Sequence, residues 1–190
     1  MFRTVNQIDM ADDAHLIWSD IISGGRIHSG ERFRLASYQA LTRIFQNKRL
    51  VLFDNQRINP SQQPVEELLF FEGYTHQATF VVMTPFASAL KQELDEMLTD
   101  QVGEMTYGYT SCSPGGIMLR ALGYSGDALH NWLTNMADMC WEYILHHRRQ
   151  LPVPPPAPAK APAVRKTTSV SKSPKAAPRP AKKSDSLAPV

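Results

Sequence analysis

The sequence predicts an α+β body in which most β-strands come early, followed by a tail without regular structure. Short segments rich in β-branched and aromatic residues, each bounded by turn residues, fill much of the first half. Two stretches with apolar residues at helical spacing lie further on. The predicted order is therefore β-β-β-β-α-β-β-α over residues 1–150, and residues 151–190 form a proline-, lysine- and alanine-rich tail that is expected to be disordered.

The first three predicted strands follow from local pattern. Residues 14–22 are bounded by two aspartates and two glycines, which is typical of a short strand. In residues 32–46, side chains such as Phe33, Leu35 and Phe45 alternate imperfectly with others such as Arg34, Tyr38 and Thr42. This alternation predicts one long strand with two different faces. A turn at residues 47–48 then leads to a return strand over residues 49–58, so these strands form a hairpin. The loop over residues 59–64 ends in a proline.

A strand and a helix come next. Residues 73–84 are rich in Tyr, Thr, Phe and Val, which favours a fourth strand. Thr84 is a good N-cap and Pro85 suits the first helical position, because its missing donor has no partner there. Apolar residues at helical spacing follow, which predicts a helix: Phe86, Leu90, Leu94, Met97 and Leu98.

The last predicted elements are a second hairpin and a long helix. Residues 103–112 and 116–122 are the hairpin strands, joined across residues 113–115. Ser125 caps the final helix, which ends before Pro152 and has cations in its last turn. One apolar stripe indicates its buried face: Leu129, Trp132, Leu133, Met136, Cys140, Tyr143 and Ile144.

The charge is unevenly divided along the chain. Residues 151–190 hold eight Lys or Arg and one acidic residue, a net charge of +7, together with ten of the 14 prolines. The other 12 basic and 17 acidic residues give the first 150 residues a net charge of −5. Such a tail can bind an acidic protein or nucleic acid electrostatically, or it can be a plain solubilising extension.

Several functional classes lack their sequence signals. No apolar run approaches the roughly 20 residues that span a bilayer, and the polar N-terminus is unlike a signal peptide. Two cysteines are too few for a disulfide framework, so a reduced cytoplasmic protein is expected. The sequence has no phosphate-binding loop, no Gly-x-Ser-x-Gly elbow and no Cys-x-x-Cys or His-Glu-x-x-His metal motif. Nucleotide hydrolysis by this chain is therefore not expected.

Two groups of polar residues are candidates for chemistry. His146 and His147 can bind a metal ion or act as cations at the helix end, but adjacent helical residues point about 100° apart. Glu72 and His76 can form an acid–base pair of a small hydrolase. On one strand they would lie roughly 13 Å apart, too far to share a proton, so a structural or docking role is favoured.

The segment SGGRIHSGERF, residues 23–33, combines a glycine-rich reversal with charged residues. Its glycines permit a tight turn. Arg26 and Glu31 can pair across this turn and hold two strands in register. His28, between them, is a further candidate for contact with a metal ion.

Three motifs in order resemble one family. The first motif begins with Gly25-Arg26 and Gly30-Glu31, continues through a long strand and ends at Asp54-Asn55. The second motif is FFEGYTHQATFVVMT, and the third is SPGGIMLRALGYSGDALHNWLTNM. This arrangement, over about residues 1–148, resembles the urease accessory protein UreD/UreH family. Members have a further β-rich N-terminal half and generally no Pro/Lys tail, so the resemblance implies that only the C-terminal portion of the family protein is present.

The resemblance implies β-dominated stacked sheets with two helices on the C-terminal side. It also implies a non-catalytic scaffold that binds apo-urease and accessory protein F, which recruits the GTPase accessory protein G. The resemblance implies no tightly bound cofactor, and nickel is expected to pass along a tunnel in the scaffold. The matched residues are expected to pack or to face partners: Arg26, Glu31, Glu72, Tyr74 and His76. Without its N-terminal half, such a fold is expected to expose an apolar sheet edge or face.

Overall fold

The computed structural model describes residues 1–68, 70–98, 104–112 and 115–150. These residues form an α+β fold that is mostly β, which confirms the predicted class. In chain order the elements are β1 Phe2–Met10, β2 Leu16–Ser23, β3 Tyr38–Gln46, β4 Arg49–Ile58, β5 His76–Met83, α1 Ala87–Met97, β6 Thr106–Cys112, β7 Gly116–Gly123 and α2 Gly126–Gln150. Neither α-helix of this part of the chain is long and apolar enough to cross a membrane.

The strands form two sheets, as the resemblance implies. A three-stranded sheet has the order β1-β3-β4, and a four-stranded sheet has the order β2-β5-β7-β6. β1 runs parallel to β3, whereas the other pairs among the described strands are antiparallel. Ile44 and Leu52 of the first sheet share one buried cluster with Val81 and Met83 of the second, so the two sheets stack face to face.

The helices cover the other face of the four-stranded sheet. Alternate residues of β5, namely Ala78, Phe80 and Val82, point away from the three-stranded sheet because side chains alternate along a strand. They pack in the main core with the apolar faces of α1 and α2. The predicted stripe of the final helix is largely buried there: Leu129, Leu133, Met136, Cys140 and Ile144.

Some predicted boundaries are wrong. Strand β1 was not predicted, because its sequence FRTVNQIDM is largely polar. Only Tyr38–Gln46 of the predicted strand 32–46 is extended in the sheet, since Phe33 has a φ of +50° and turns into the protein. The first helix begins at Ala87, not at Pro85. The expected disordered tail lies outside the described residues.

Candidate functional site

The loop after β2 is closed by the predicted ion pair. Arg26 Nε donates to Glu31 Oε2 at 2.8 Å and Nη2 donates to Oε1 at 2.6 Å, a bidentate pair. A short 3₁₀ turn over Ile27–Ser29 lies between the two residues. The pair therefore fastens a loop, and the expectation that it joins two strands is wrong, because no strand follows Glu31 directly.

Charge reversal at Glu31 is expected to change stability little. The Arg26 side chain is 77% exposed, and exposed ion pairs contribute at most about 1 kcal/mol. Glu31→Lys should therefore lower the free energy of unfolding in urea by less than about 1 kcal/mol. The exchanged variant Arg26→Glu/Glu31→Arg should recover most of that loss. A loss well beyond this range in Glu31→Lys would show that the pair supports the loop more strongly than its exposure allows.

A second loop, residues 70–75, lies against the first. The Arg32 guanidinium donates to the carbonyl of Gly73 and lies within 3.5 Å of the carbonyl of Tyr74. Glu72 and Gly73 have φ angles of +48° and +88°, so they form a turn before β5. Placing Glu72 and Tyr74 on a strand is therefore wrong, and only His76 belongs to β5.

The start of α2 completes the cluster. The Tyr74 and Tyr124 rings lie 4.7 Å apart, and the Thr75 hydroxyl donates to the Tyr124 carbonyl at 3.1 Å. The same hydroxyl lies 2.8 Å from Nδ1 of His76. A Cβ at Gly126 would lie 3.3 Å from the His76 ring, so glycine lets the helix start close to this histidine. We call residues 24–33, 70–76 and 123–127 together the three-loop cluster.

The position of His76 affects its protonation. Its pKa is lowered from the ordinary value of 6.5, mainly by burial and also by His28, although a hydrogen bond to the Tyr124 backbone and Asp127 oppose the shift. His28 and His76 therefore lie within electrostatic range of each other. The cluster brings together all the partner-facing candidates and one metal candidate that sequence reasoning identified.

Stability should fall on mild acidification. The unfolded chain takes up a proton near pH 6.5, where folded His76, with its lowered pKa, stays neutral, so protonation favours unfolding as the pH drops. His15, whose pKa is also lowered by burial, adds to this effect. His76→Gln should flatten the decline between pH 7 and about pH 5 in thermal melts. Exposed His130→Gln is the control, and an equal flattening there would contradict the assignment to His76.

The remaining metal candidates lie at the other end of α2. His147 Nδ1 donates to the Tyr143 carbonyl at 3.0 Å, and His146 Nε2 lies 2.8 Å from Gln150 Nε2. Both histidines line a cavity of about 650 Å³ between α1 and α2. Because α2 has 25 residues, its ends lie roughly 37 Å apart, so these histidines do not meet His28. Within the described residues, no group of three His, Cys, Asp or Glu side chains is placed to hold a metal ion.

Sequence reasoning missed a set of polar side chains between the two sheets. Arg120 Nη2 donates to Asp54 Oδ1 at 2.5 Å, and Gln56 donates to Thr79 Oγ1 at 2.9 Å, so the contacts join β4 to β7 and β5. Thr42 and Thr79 are almost fully buried. We call this set the polar belt, and its members are Asn6, Thr42, Asp54, Gln56, Gln77, Thr79 and Arg120.

The polar belt separates two apolar clusters of the sandwich. One cluster contains Ile44 and Leu52, and the other contains Phe33, Val65 and Phe71. Polar residues at every second position of a strand normally indicate a solvent-facing side, which is why the belt was overlooked. The sequence signal in β4 was the polar stretch DNQ, residues 54–56, which interrupts an apolar run and contains the Asp54-Asn55 pair of the first motif.

Comparison with known proteins decides the family. The model of the family described as "UreD urease accessory protein" matches residues 1–155. The chain belongs to the UreD family. The UreD protein of Acetivibrio thermocellus is 32% identical over 135 residues, covering 70% of this chain and 50% of that protein. UreD of Flavobacterium johnsoniae is 29% identical over 143 residues (74% and 52%), and UreH of Helicobacter hepaticus is 26% identical over 136 residues (72% and 52%).

The UreD match confirms the resemblance found in the motifs. The matched residues include both the three-loop cluster and the polar belt. The chain spans about half the length of the curated relatives it matches. Partner contact by Arg26, Glu31, Glu72, Tyr74 and His76 stays a prediction.

Proposed function

We propose that the chain is a non-catalytic scaffold in urease maturation. In this role it binds apo-urease and accessory protein F, which brings in the GTPase accessory protein G, and it helps nickel reach the urease active site in the cytoplasm. Membership of the UreD family is the observation that carries the proposal. The three relatives compared above are each named as urease accessory proteins, which supports the same role.

The polar belt supports a part in nickel transit. Nickel is cargo here, and it binds oxygen and nitrogen donors. The belt provides the Asp54 carboxylate with the hydroxyl and amide oxygens of Thr79, Gln56 and Gln77 between the two sheets. Arg120 offsets the Asp54 charge, and the Gln56 and Thr79 oxygens already accept hydrogen bonds within the belt. The belt would therefore bind a divalent ion weakly, which suits passage better than storage.

The three-loop cluster supports a part in partner contact. Arg26 pairs with Glu31, and the Tyr74 ring packs against that of Tyr124. Arg32 and Thr75 fix the loops by hydrogen bonds to backbone carbonyls, so the cluster keeps its arrangement without a partner protein. Arg26, Glu72 and His28 are exposed, while Tyr74 and His76 are half-buried. Aromatic residues and arginine, both present in this cluster, are enriched at protein interfaces.

Nickel-dependent activation of urease tests the transit role. Replacing the Asp54–Arg120 pair by two leucines should leave the fold intact, since a partly buried ion pair can be exchanged for apolar residues at little loss. The double variant should activate urease roughly tenfold less than the unchanged chain. Leucines at the exposed Lys91–Asp95 pair are the matched control. Equal activation by both double variants would contradict transit through the belt.

Co-purification with accessory protein F, with and without nickel, tests the scaffold role separately. The belt variant should still bind accessory protein F, because its change lies between the sheets. Glu31→Lys and Tyr74→Ala should weaken binding if the three-loop cluster faces the partner. Failure of the unchanged chain to bind either accessory protein F or apo-urease would overturn the proposed function.

The basic tail favours a second candidate function. Its charge of +7 against −5 for the rest of the chain makes it a candidate for binding an acidic partner, or less readily nucleic acid. Deletion of residues 151–190 separates the two functions. The scaffold function predicts that urease activation survives this deletion, whereas a tail-based function predicts that it is lost.

A further inference from the structure

The cavity of about 650 Å³ between α1 and α2 is a surface groove with apolar side chains along it. Met97 of α1, which is 59% exposed, lines the groove together with the half-buried Met139 and Leu145 of α2. Trp141 is 44% exposed and lies one helical turn before Leu145, so it extends this apolar surface beyond the groove. We call this feature the helix groove. Contiguous exposed apolar surface marks a site of interaction.

The side of α2 that lines the helix groove has the spacing of a helix-pairing surface. Met139, Glu142, His146 and Arg149 follow one another at intervals of three, four and three residues. This is the spacing at which one helix contacts another in a coiled coil. The stripe of α2 that packs in the main core is a different one, since it contains Cys140. A second helix can therefore pack here without disturbing the core.

Negative and positive charges are separated along the helix groove. Burial and the nearby Glu93 raise the pKa of Tyr143, which places Glu93 at the level of Glu142 in the groove. His146 and Arg149 follow toward the C-terminal end of α2, and Arg149 lies about 10 Å beyond Glu142 along the helix axis. Within the described part of the chain, no salt bridge holds Glu142 or Arg149. Both charges are therefore available to a partner.

We propose that the helix groove is the interface of a symmetric dimer, in which α2 of a second copy lies antiparallel across it. A two-fold axis between the levels of Glu142 and Arg149 places Glu142 of each copy beside Arg149 of the other, so the same contact forms twice. A groove with only one sign of charge would repel its own copy, whereas this one is complementary to itself. The inference goes beyond the proposed function and does not depend on nickel transit.

Sedimentation of the full chain tests the dimer. The unchanged chain should form dimers with a Kd in the micromolar range. Glu142→Arg and Arg149→Glu should each weaken dimerisation roughly tenfold or more, because each change places like charges opposite one another at both contacts. An equimolar mixture of the two variants should dimerise nearly as well as the unchanged chain. In the mixed pair, one copy has two arginines and the other has two glutamates, so opposite charges meet at both contacts again.

Arg57→Glu is the matched control. Arg57 is an exposed residue of β4, and its replacement changes the net charge by the same amount as Arg149→Glu does. This variant should dimerise within about twofold of the unchanged chain. All three variants should keep the thermal stability of the unchanged chain, because the replaced side chains are exposed. Urease activation, measured in parallel, reports on the proposed function instead.

Two results would overturn the proposal. The first is an unchanged chain that stays monomeric throughout the micromolar range. If Glu142→Arg then abolished binding of accessory protein F, the helix groove would belong to that partner and not to a second copy. The second result is a dimer that persists in both Glu142→Arg and Arg149→Glu, or that their mixture does not restore. Either outcome would mean that the copies do not meet through the helix groove in this arrangement.

Discussion

Gly25→Ala is expected to lower the free energy of unfolding by about 3 kcal/mol. Gly25 has a φ of +135°, a conformation that side chains other than glycine rarely adopt. A Cβ at this position would also lie 2.8 Å from the backbone oxygen of Glu31, which cannot move without opening the loop. Backbone strain and steric overlap therefore add in this variant. The loss is measured by urea unfolding, in which the dependence of the free energy of unfolding on urea concentration should stay unchanged.

Gly30→Ala is the matched control for this prediction. Gly30 belongs to the same loop and has a φ of +72°, but a Cβ there would meet no atom within 4 Å. Only the left-handed backbone is unfavourable for alanine, so the expected loss is about 1 kcal/mol. Equal losses of unfolding free energy in the two variants would mean that the Gly25→Ala protein relieves the overlap with Glu31. Backbone strain alone would then account for both losses.

Phe33→Ala is expected to lower the free energy of unfolding by about 3–4 kcal/mol. Phe33 is 6% exposed, its ring lies 4.6 Å from that of Phe71, and a Cβ at Gly24 would come within 2.9 Å of it. Removing the ring leaves a cavity under the three-loop cluster, and the surrounding backbone can fill it only in part. Hydrogen exchange in residues 24–33 should therefore rise as well.

Phe53→Ala is the control, because Phe53 is 58% exposed. Truncation of an exposed side chain should change stability by about 0.5 kcal/mol or less. If Phe33→Ala lowered the free energy of unfolding as little as Phe53→Ala does, the packing of Phe33 against Phe71 would contribute little to stability.

Elements whose signals come from residues near one another in the chain could be predicted from the sequence. The apolar stripe of α2 and the hairpin of β3 and β4 are both confirmed. In that hairpin, Asn47 and Lys48 have φ angles of +53° and +62°, the left-handed turn that suits the twist of paired strands. Asparagine tolerates this conformation well, so the turn at residues 47–48 was a local signal.

Features that depend on distant partners were not readable. β1 forms a strand because β3 pairs with it and its alternate residues Ile8 and Met10 pack in the sandwich, while its own sequence is polar. The polar belt looks like a solvent-facing pattern because sequence alone does not show that a second sheet covers it. Strain at Phe33 is likewise set by its tertiary packing.

The candidate site was found in part for the same reason. The Arg26–Glu31 pair lies within one short loop, so complementary charges in sequence were enough to predict it. The contacts that hold the three loops together run from Arg32 and Thr75 to backbone carbonyls. Every residue has a carbonyl, and its direction is known only once the chain is folded.

The pairing scheme has a consequence for how the chain reaches its native state. Phe2 pairs with Tyr38, and Leu16 pairs with Met83, so both sheets close over long stretches of intervening chain. Closing such loops loses chain entropy before contacts compensate for it, and topologies of this kind fold slowly. We therefore expect strands of the nascent chain, β2 above all, to stay unpaired until β5 has left the ribosome. Chaperones that shield unpaired strands during this period should raise the yield of native protein.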